Sequence, residues 1–292
     1  MIIQKQGLIE SRGLDATTLT EIEELARICN QHEGLDLKIN LNVLHKRPED
    51  QLSDFLYYAD EQLVGFLPLF SFNGQEGELC GMVHPEYRRR GIFRTLFNAA
   101  CQEARRRKLP SLLLIAEQAS PAGQAFIRQY ATTYDHSEYK MILTEFHAPE
   151  NFKEDLLFRP ATVYDLPAMS TITAEAFGIP GEEVDWYTPE SLTQPDHRYY
   201  IGEMNGTVIG KIDVHHAKDS SSILGFAVVA EQRGKGYGRH ILARTVQEII
   251  KGGQQNIWLE VVTENKNALS LYQSVGFQET GSYDYSRLSL SN

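Results

Sequence analysis

The sequence predicts an α/β (α+β) chain of two similar domains in tandem, and three observations predict it. At 292 residues the chain is about twice an ordinary domain length. An apolar strand that breaks into a basic, glycine-bearing turn and then into an amphipathic helix occurs twice, around Arg88–Gly91 and around Arg233–Gly238. The two are offset by 233 − 88 = 145 residues, close to half of 292, as a duplicated unit would be. The expected division is 1–146 for the first domain, 147–155 for a linker and 156–292 for the second.

Composition narrows the class. Hydrophobic content of 42% and charged content of 23% are those of an ordinary globular protein. A net charge of −11 argues against a nucleic-acid partner and suits a cationic acceptor. Cys29, Cys80 and Cys101 have neither C-x-x-C nor His-paired spacing, so free thiols and no metal are expected. Met1–Gly13 has no apolar core behind a basic start, and no stretch reaches ~18 apolar residues, so no membrane partner and a cytoplasmic location are expected.

In the first half, Leu19, Ile22, Leu25, Ala26 and Cys29 at three- and four-residue steps predict a helix over 17–32, capped by Thr17 or Thr18. Strands are expected over 55–59 and 63–72, joined by Asp60, Glu61 and Gln62, and over 78–83. The basic turn Arg88, Arg89, Arg90, Gly91 then opens a helix over 94–108, followed by a strand over 111–115, a helix from near Ser120 and a final strand over 139–146. His147–Asp155 is polar and reads as a linker.

In the second half, a strand ending at Arg159, Pro160, Ala161 precedes a helix over 166–177 that stops at Gly178. An irregular stretch over 181–195 follows, then a hairpin, 199–203 with 208–214, around Asn205 and Gly206. His215 and His216, at a strand end, read as surface residues. The strand 223–229 runs into the second glycine turn and a helix over 240–250. The strand 257–262, a helix from Asn265 and closing strands over 277–279 and 283–290 complete the second sheet.

Gly234, Gly236 and Gly238 allow a tight turn and remove the Cβ atoms that would keep a ligand from the backbone N–H groups. The turn opens a helix N-terminus flanked by Arg233, Lys235 and Arg239, where an anion such as a phosphate is favoured. A Walker loop requires Lys then Ser or Thr, and a dinucleotide loop requires G-x-G-x-x-G; neither matches.

The letters R-x-x-G-x-G over 233–238, with N-x-x-A-x-x-L-Y over 265–272 and then Gly276, Phe277, resemble the GNAT superfamily of acyl-CoA-dependent N-acetyltransferases. Leu259, Glu260, Val261 with Asn265 and Tyr272 are similar to the ribosomal-protein alanine N-acetyltransferases within it. The resemblance implies two GNAT-like domains, each a mixed, mostly antiparallel sheet flanked by helices. It implies acetyl-CoA as co-substrate and an amine-bearing small molecule or peptide as acceptor. It assigns cofactor contact to Phe226, Ala227, Val228 and Val229, whose backbone would hold the thioester. The same role falls to Arg233, Gly234, Lys235, Gly236, Tyr237, Gly238 and Arg239 around the pyrophosphate, and to Asn265 and Ala268 along the pantetheine arm.

The resemblance makes Tyr272 the acid that protonates the departing thiolate. A phenol near ~10 suits that step. Glu260 is the base candidate, though a carboxylate near ~4 needs burial or a water relay to serve an ammonium. The segment that walls the acceptor in the family falls on 181–195, which points to Glu183, Asp185, Trp186 and Tyr187. At the 145-residue offset the first half carries Ile115 for Glu260, Ser120 for Asn265 and Ile127 for Tyr272, so it is expected to be degenerate and the second half catalytic. A non-catalytic CoA-binding or scaffold protein is the competing reading, and a homodimer stays open.

Overall fold

The computed structural model describes residues 5–44, 47, 50–71 and 74–290. They fall into two compact units: residues up to Ser137 together with those from Gly281 onward, and Glu138–Thr280. The first half of the chain supplies β1 (Gly7–Ser11), α1 (Ala16–Glu33), α2 (Leu41–Leu44), β2 (Asp54–Ala59), β3 (Gln62–Phe70), β4 (Glu76–Leu79), β5 (Met82–Val83), α3 (Ile92–Arg106), β6 (Ser111–Glu117), α4 (Pro121–Ile127) and β7 (Thr133–Leu143). The second half supplies β8 (Leu157–Pro160), α5 (Leu166–Phe177), β9 (His197–Met204), β10 (Thr207–His216), β11 (Ser221–Val228), α6 (Tyr237–Lys251), β12 (Ile257–Val262), α7 (Lys266–Val275) and β13 (Phe277–Ser289). The expected strand over 63–72 thus ends at Phe70, and Phe72 lies outside the described residues.

Helix α1 begins one turn earlier in chemistry than its threonines suggest. The Asp15 carboxylate accepts from the Thr18 N–H at 2.7 Å, because a carboxylate also answers the positive end of the helix. Leu19, Ile22, Leu25 and Cys29 are buried on one face, each apolar side chain contributing about 1.5–3 kcal/mol. Gly34, left-handed at φ 67°, ends the helix.

In the first unit the strands run β1-β2-β3-β4-β6-β13, with β5 also on β3; in the second they run β8-β9-β10-β11-β12-β7. Among the pairings within each unit only β4–β6 and β11–β12 are parallel, so both sheets are mixed and mostly antiparallel. The closing strands are the correction to the sequence reading. Tyr283–Ser289 pair with Ser111–Glu117 in the first unit, not with the second half's own strands. Reciprocally, Glu138–Ile142 pair with Trp258–Val262 in the second unit. Side chains decide this: Tyr283 and Tyr285 are buried in the first unit's core with Leu113 and Ile115, while Met141 is buried in the second unit's core with Leu259.

The duplication is visible atom by atom. Helices α3 and α6 start at Ile92 and Tyr237, both behind a left-handed glycine cap, Gly91 at φ 82° and Gly236 at φ 88°, and 237 − 92 = 145. Arg88 Nε donates to the Val83 carbonyl at 3.0 Å, and Arg233 Nε donates to the Val228 carbonyl at 2.8 Å. Ser120 caps α4 through the Gly123 N–H, and Asn265 caps α7 through the Ala268 N–H, both at 3.1 Å.

Candidate active site

The second unit's candidate site starts where β11 and β12 part. Their parallel pairing covers only Ser221–Ile223 with Ile257–Leu259. Beyond it, β11 carries a bulge: Lys211 of β10 faces Ala227 whereas Asp213 faces Leu224, leaving Gly225 and Phe226 opposite the single residue Ile212. Gly225 is left-handed at φ 49°. Phe226 belongs to this bulge, and Ala227, Val228 and Val229 follow it and lead into the turn.

In the turn, Gly234 and Gly236 are left-handed at φ 72° and 88°, which L side chains adopt only at a cost. Gly238 packs closely: a Cβ there would stand 3.3 Å from Leu271 Cδ2. The basic residues divide in role. Arg233 fastens the turn to β11 through Val228, Arg239 donates to the Ser274 carbonyl at 3.2 Å, and Lys235 reaches Gln232. Tyr237 is the first helical residue, and its hydroxyl donates to Asp155 at 2.6 Å. A cation the sequence reading left in the linker stands here as well. Lys153 Nζ lies 4.8 Å from the Tyr237 ring centroid, its Cε is 3.4 Å from where a Gly236 Cβ would be, and its N–H donates to His240 Nδ1. Only tertiary packing, with Phe152 against His240 and under Arg244, brings it there.

Tyr272 is buried, 8% exposed, between Phe226 and Phe277, with ring centroids 6.4 and 6.1 Å away. Burial pushes its phenol up to about 12, so the group stays protonated at physiological pH. Its hydroxyl has no hydrogen-bond partner among the described residues. Glu260, half-buried on β12, faces Lys140 of β7 across the strands. Asn265 uses its side-chain oxygen to cap α7, and Ala268, the residue it caps through, is partly buried against the same core.

Of the expected acceptor-wall residues, Trp186 is exposed, whereas Tyr187 is buried and committed elsewhere. The Tyr187 hydroxyl donates to Asp213 Oδ2 at 2.7 Å and accepts from Thr173. Lys211, fully buried, donates to Tyr187 and to Asp213 Oδ2 at 2.7 Å. Burial opposes both charges, raising the Asp213 carboxyl and lowering the Lys211 ammonium, and each partner's charge works against the other's shift. A Cβ on Gly225 would lie 2.7 Å from Asp213 Oδ2 and 2.8 Å from Lys211 Nζ, so the pair sits directly against the bulge. An alternating Lys-x-Asp on a strand was the available sequence signal.

The first unit repeats the parting of strands, with β4–β6 pairing ending at Leu79 and Leu114. There a cavity of about 440 Å³ opens, lined by Val83, Arg88 and Gly91 at the turn and by Ala116, Glu117 and Ser120 on the other side. Ile127, at the position of Tyr272, is part of that lining.

Comparison with known proteins agrees with this geometry. The model of the Acetyltransferase (GNAT) family matches residues 19–130 and 166–277. The [Ribosomal protein bS18]-alanine N-acetyltransferase of Escherichia coli (strain K12) is 29% identical over 117 residues, 39% of this chain and 76% of that protein. Mycothiol acetyltransferase of Thermobispora bispora is 27% identical over 241 residues, 76% of this chain and 79% of that protein. A GCN5-related N-acetyltransferase from Sphaerobacter thermophilus superimposes with a TM-score of 0.81 at 18% identity, over 98% of this chain and 96% of that one. A tandem GNAT protein from the clavulanic acid biosynthesis pathway does so with a TM-score of 0.74 at 13% identity, over 98% of each chain.

Proposed function

The chain belongs to the GNAT acetyltransferase family, and on that footing we propose that its second unit moves an acetyl group from acetyl-CoA to an amine by direct attack in a ternary complex. The observation that carries the reading is the parting of β11 from β12 beside a turn of left-handed glycines at the start of α6. A turn of that kind offers backbone donors to a diphosphate, and the parted strand edge offers amides to a thioester. Lys153 adds a cation beside the turn.

The acceptor nitrogen, deprotonated, attacks the thioester carbon; the C–N bond forms as the C–S bond breaks. The thiolate takes the Tyr272 phenolic proton, and the proton from the nitrogen leaves toward Glu260. Water reprotonates Tyr272. Backbone N–H groups between Phe226 and Val228 hold the carbonyl oxygen as it gains charge, whereas the Val229 N–H is given to the Ile209 carbonyl at 2.9 Å and is not available for that role. The unclaimed Tyr272 hydroxyl supports the acid role, since a buried phenol without a partner retains a donor for an incoming group. Glu260 lies opposite Lys140 in the strand register and serves by orienting the amine or through a water relay.

Thiol release from acetyl-CoA, measured over a panel of small amines and a peptide with an amino-terminal alanine, tests the proposal. Binding of CoA with no thiol release across the panel supports the scaffold reading instead. The cavity in the first unit favours one addition to the reading: that unit holds CoA without the acid and base of the second, and the chain binds two CoA molecules.

A further inference from the structure

A carboxylate and two imidazoles converge at one end of the β9–β10 hairpin. Asp196 precedes β9, His197 opens it, and His215 stands opposite His197 in the strand register. The two rings are 4.7 Å apart between centroids, at 58°. Asp196 Oδ1 is 3.0 Å from His197 Nδ1, and Asp196 Oδ2 is 3.5 Å from His215 Nε2. One ligand atom from each of the three lies within 4.8 Å of the other two. The Asp196 carbonyl accepts the His216 N–H at 2.7 Å, so the turn carrying the carboxylate is pinned to the end of β10.

Donor atoms around a tetrahedral ion with bonds of about 2.1 Å stand about 3.4 Å apart. The two carboxylate–imidazole distances, 3.0 and 3.5 Å, lie on either side of that value, and one ligand atom from each residue stays within 4.8 Å of the others. His215 is buried, while Asp196 and His197 keep 29% and 23% of their side chains exposed, so the set is rigid on one side and open to solvent on the other. Two imidazole nitrogens with a single carboxylate select a borderline transition ion over Ca²⁺ or Mg²⁺, which take oxygen donors. The linear spacing that predicts no metal misses this set, because strand pairing brings together residues 18 positions apart (215 − 197).

We propose that Asp196, His197 and His215 bind one divalent transition cation of the Zn²⁺ class, with solvent in the fourth position. The ion ties the end of the irregular segment at Asp196 to both strands of the hairpin. His197 stacks on Tyr199 (6.2 Å, 19°), and Tyr199 meets Tyr187 edge-on at 5.9 Å, so the ion also braces the aromatic row that ends on Asp213.

The test uses the full chain without an affinity tag, stripped with chelator and titrated calorimetrically with ZnCl₂. In parallel, CoCl₂ is added while the visible d–d absorption of tetrahedral Co²⁺ is followed. The expected result is one Zn²⁺ per chain and a Co²⁺ band, with affinity falling about tenfold or more in His197→Ala and in Asp196→Asn. Zn²⁺ raises the Tm of the parent by more than that of these variants at the same Zn²⁺ concentration. Both substituted residues are partly exposed, so their folding, checked by circular dichroism, does not depend on the buried His215. Absence of saturable Zn²⁺ binding, or binding unchanged in both variants, overturns the proposal. None of these readouts depends on acetyl transfer.

Discussion

Tyr272→Phe separates chemistry from architecture at this site. The substitution keeps the ring between Phe226 and Phe277 and removes a hydroxyl that no described residue engages. Deleting a hydroxyl that no described residue engages strands no partner, so stability is expected to stay within about 0.5 kcal/mol of the parent. The rate carries the effect. A general acid contributes about a hundred- to ten-thousand-fold. A phenol pushed up to about 12 is some two units above the ~10 of an ordinary phenol, which costs about 3 kcal/mol in proton transfer and places the loss at the low end. Maximal turnover is expected to fall about a hundredfold, with the KM for acetyl-CoA little changed. Thiol release gives the rate. Stability is read from tryptophan fluorescence in urea, which reports the second unit because both tryptophans, Trp186 and Trp258, lie there. Turnover within threefold of the parent would refute the acid role. A stability loss beyond ~1.5 kcal/mol would show that the hydroxyl is bonded and the ring is core.

Lys211→Met leaves Asp213 buried without its cation and is expected to cost about 3–5 kcal/mol, while Lys211→Met with Asp213→Leu recovers most of it; urea midpoints of the two variants decide. Asp165, held at about 2 chiefly by hydrogen bonds from Arg159, has a depressed carboxyl, so its stabilisation is full above the ordinary value of 3.8 and is lost as pH falls toward 2. It amounts to about 2 kcal/mol, and Asp165→Asn should remove that acid-side slope from fluorescence melts taken between pH 2 and 5. Lys153→Ala should raise the KM for acetyl-CoA by about tenfold or less with turnover unchanged, since it removes one partly exposed cation beside the proposed diphosphate site; an unchanged KM in steady-state assays rules the residue out of that role.

Much of the fold was legible because its signals are local. Helix α5 and strand β12 span the residues their patterns gave, and Asn205 and Gly206, both left-handed, form the hairpin turn their pair of letters announces. The closing strands were not legible, because an amphipathic strand states which face is apolar and not which sheet covers it; Tyr283 and Tyr285 satisfy their burial in the first unit. The site divides in the same way. The glycine turn and the start of α7 at Asn265 are read from the letters, whereas the Asn265 cap, Lys153 beside Tyr237 and the Asp196–His197–His215 set exist only once the chain packs. Tyr187 shows the limit from the other side: an aromatic in an irregular stretch reads as a ligand wall until its hydroxyl is found on Asp213.

The duplication lets one chain serve as its own control on which residues build and which react. Features present in both halves at the 145-residue offset are those the architecture needs: the arginine that ties its turn to the preceding strand, the left-handed glycine before the helix, and the side-chain oxygen capping the next helix. By that test Arg233 is a fastener, since Arg88 makes the same bond in a half without the acid, and Asn265 is first a cap, since Ser120 does the same work. The halves differ in the turn, where Arg89 and Phe93 stand at the positions of Gly234 and Gly238, and in the reacting side chains, where Ile115 and Ile127 stand at the positions of Glu260 and Tyr272. An isoleucine serves a core as well as a tyrosine whose hydroxyl bonds no described residue, so packing gives no reason to keep a phenol in one half alone. Proton transfer does give one, and it supports the proposal that the second unit carries the chemistry.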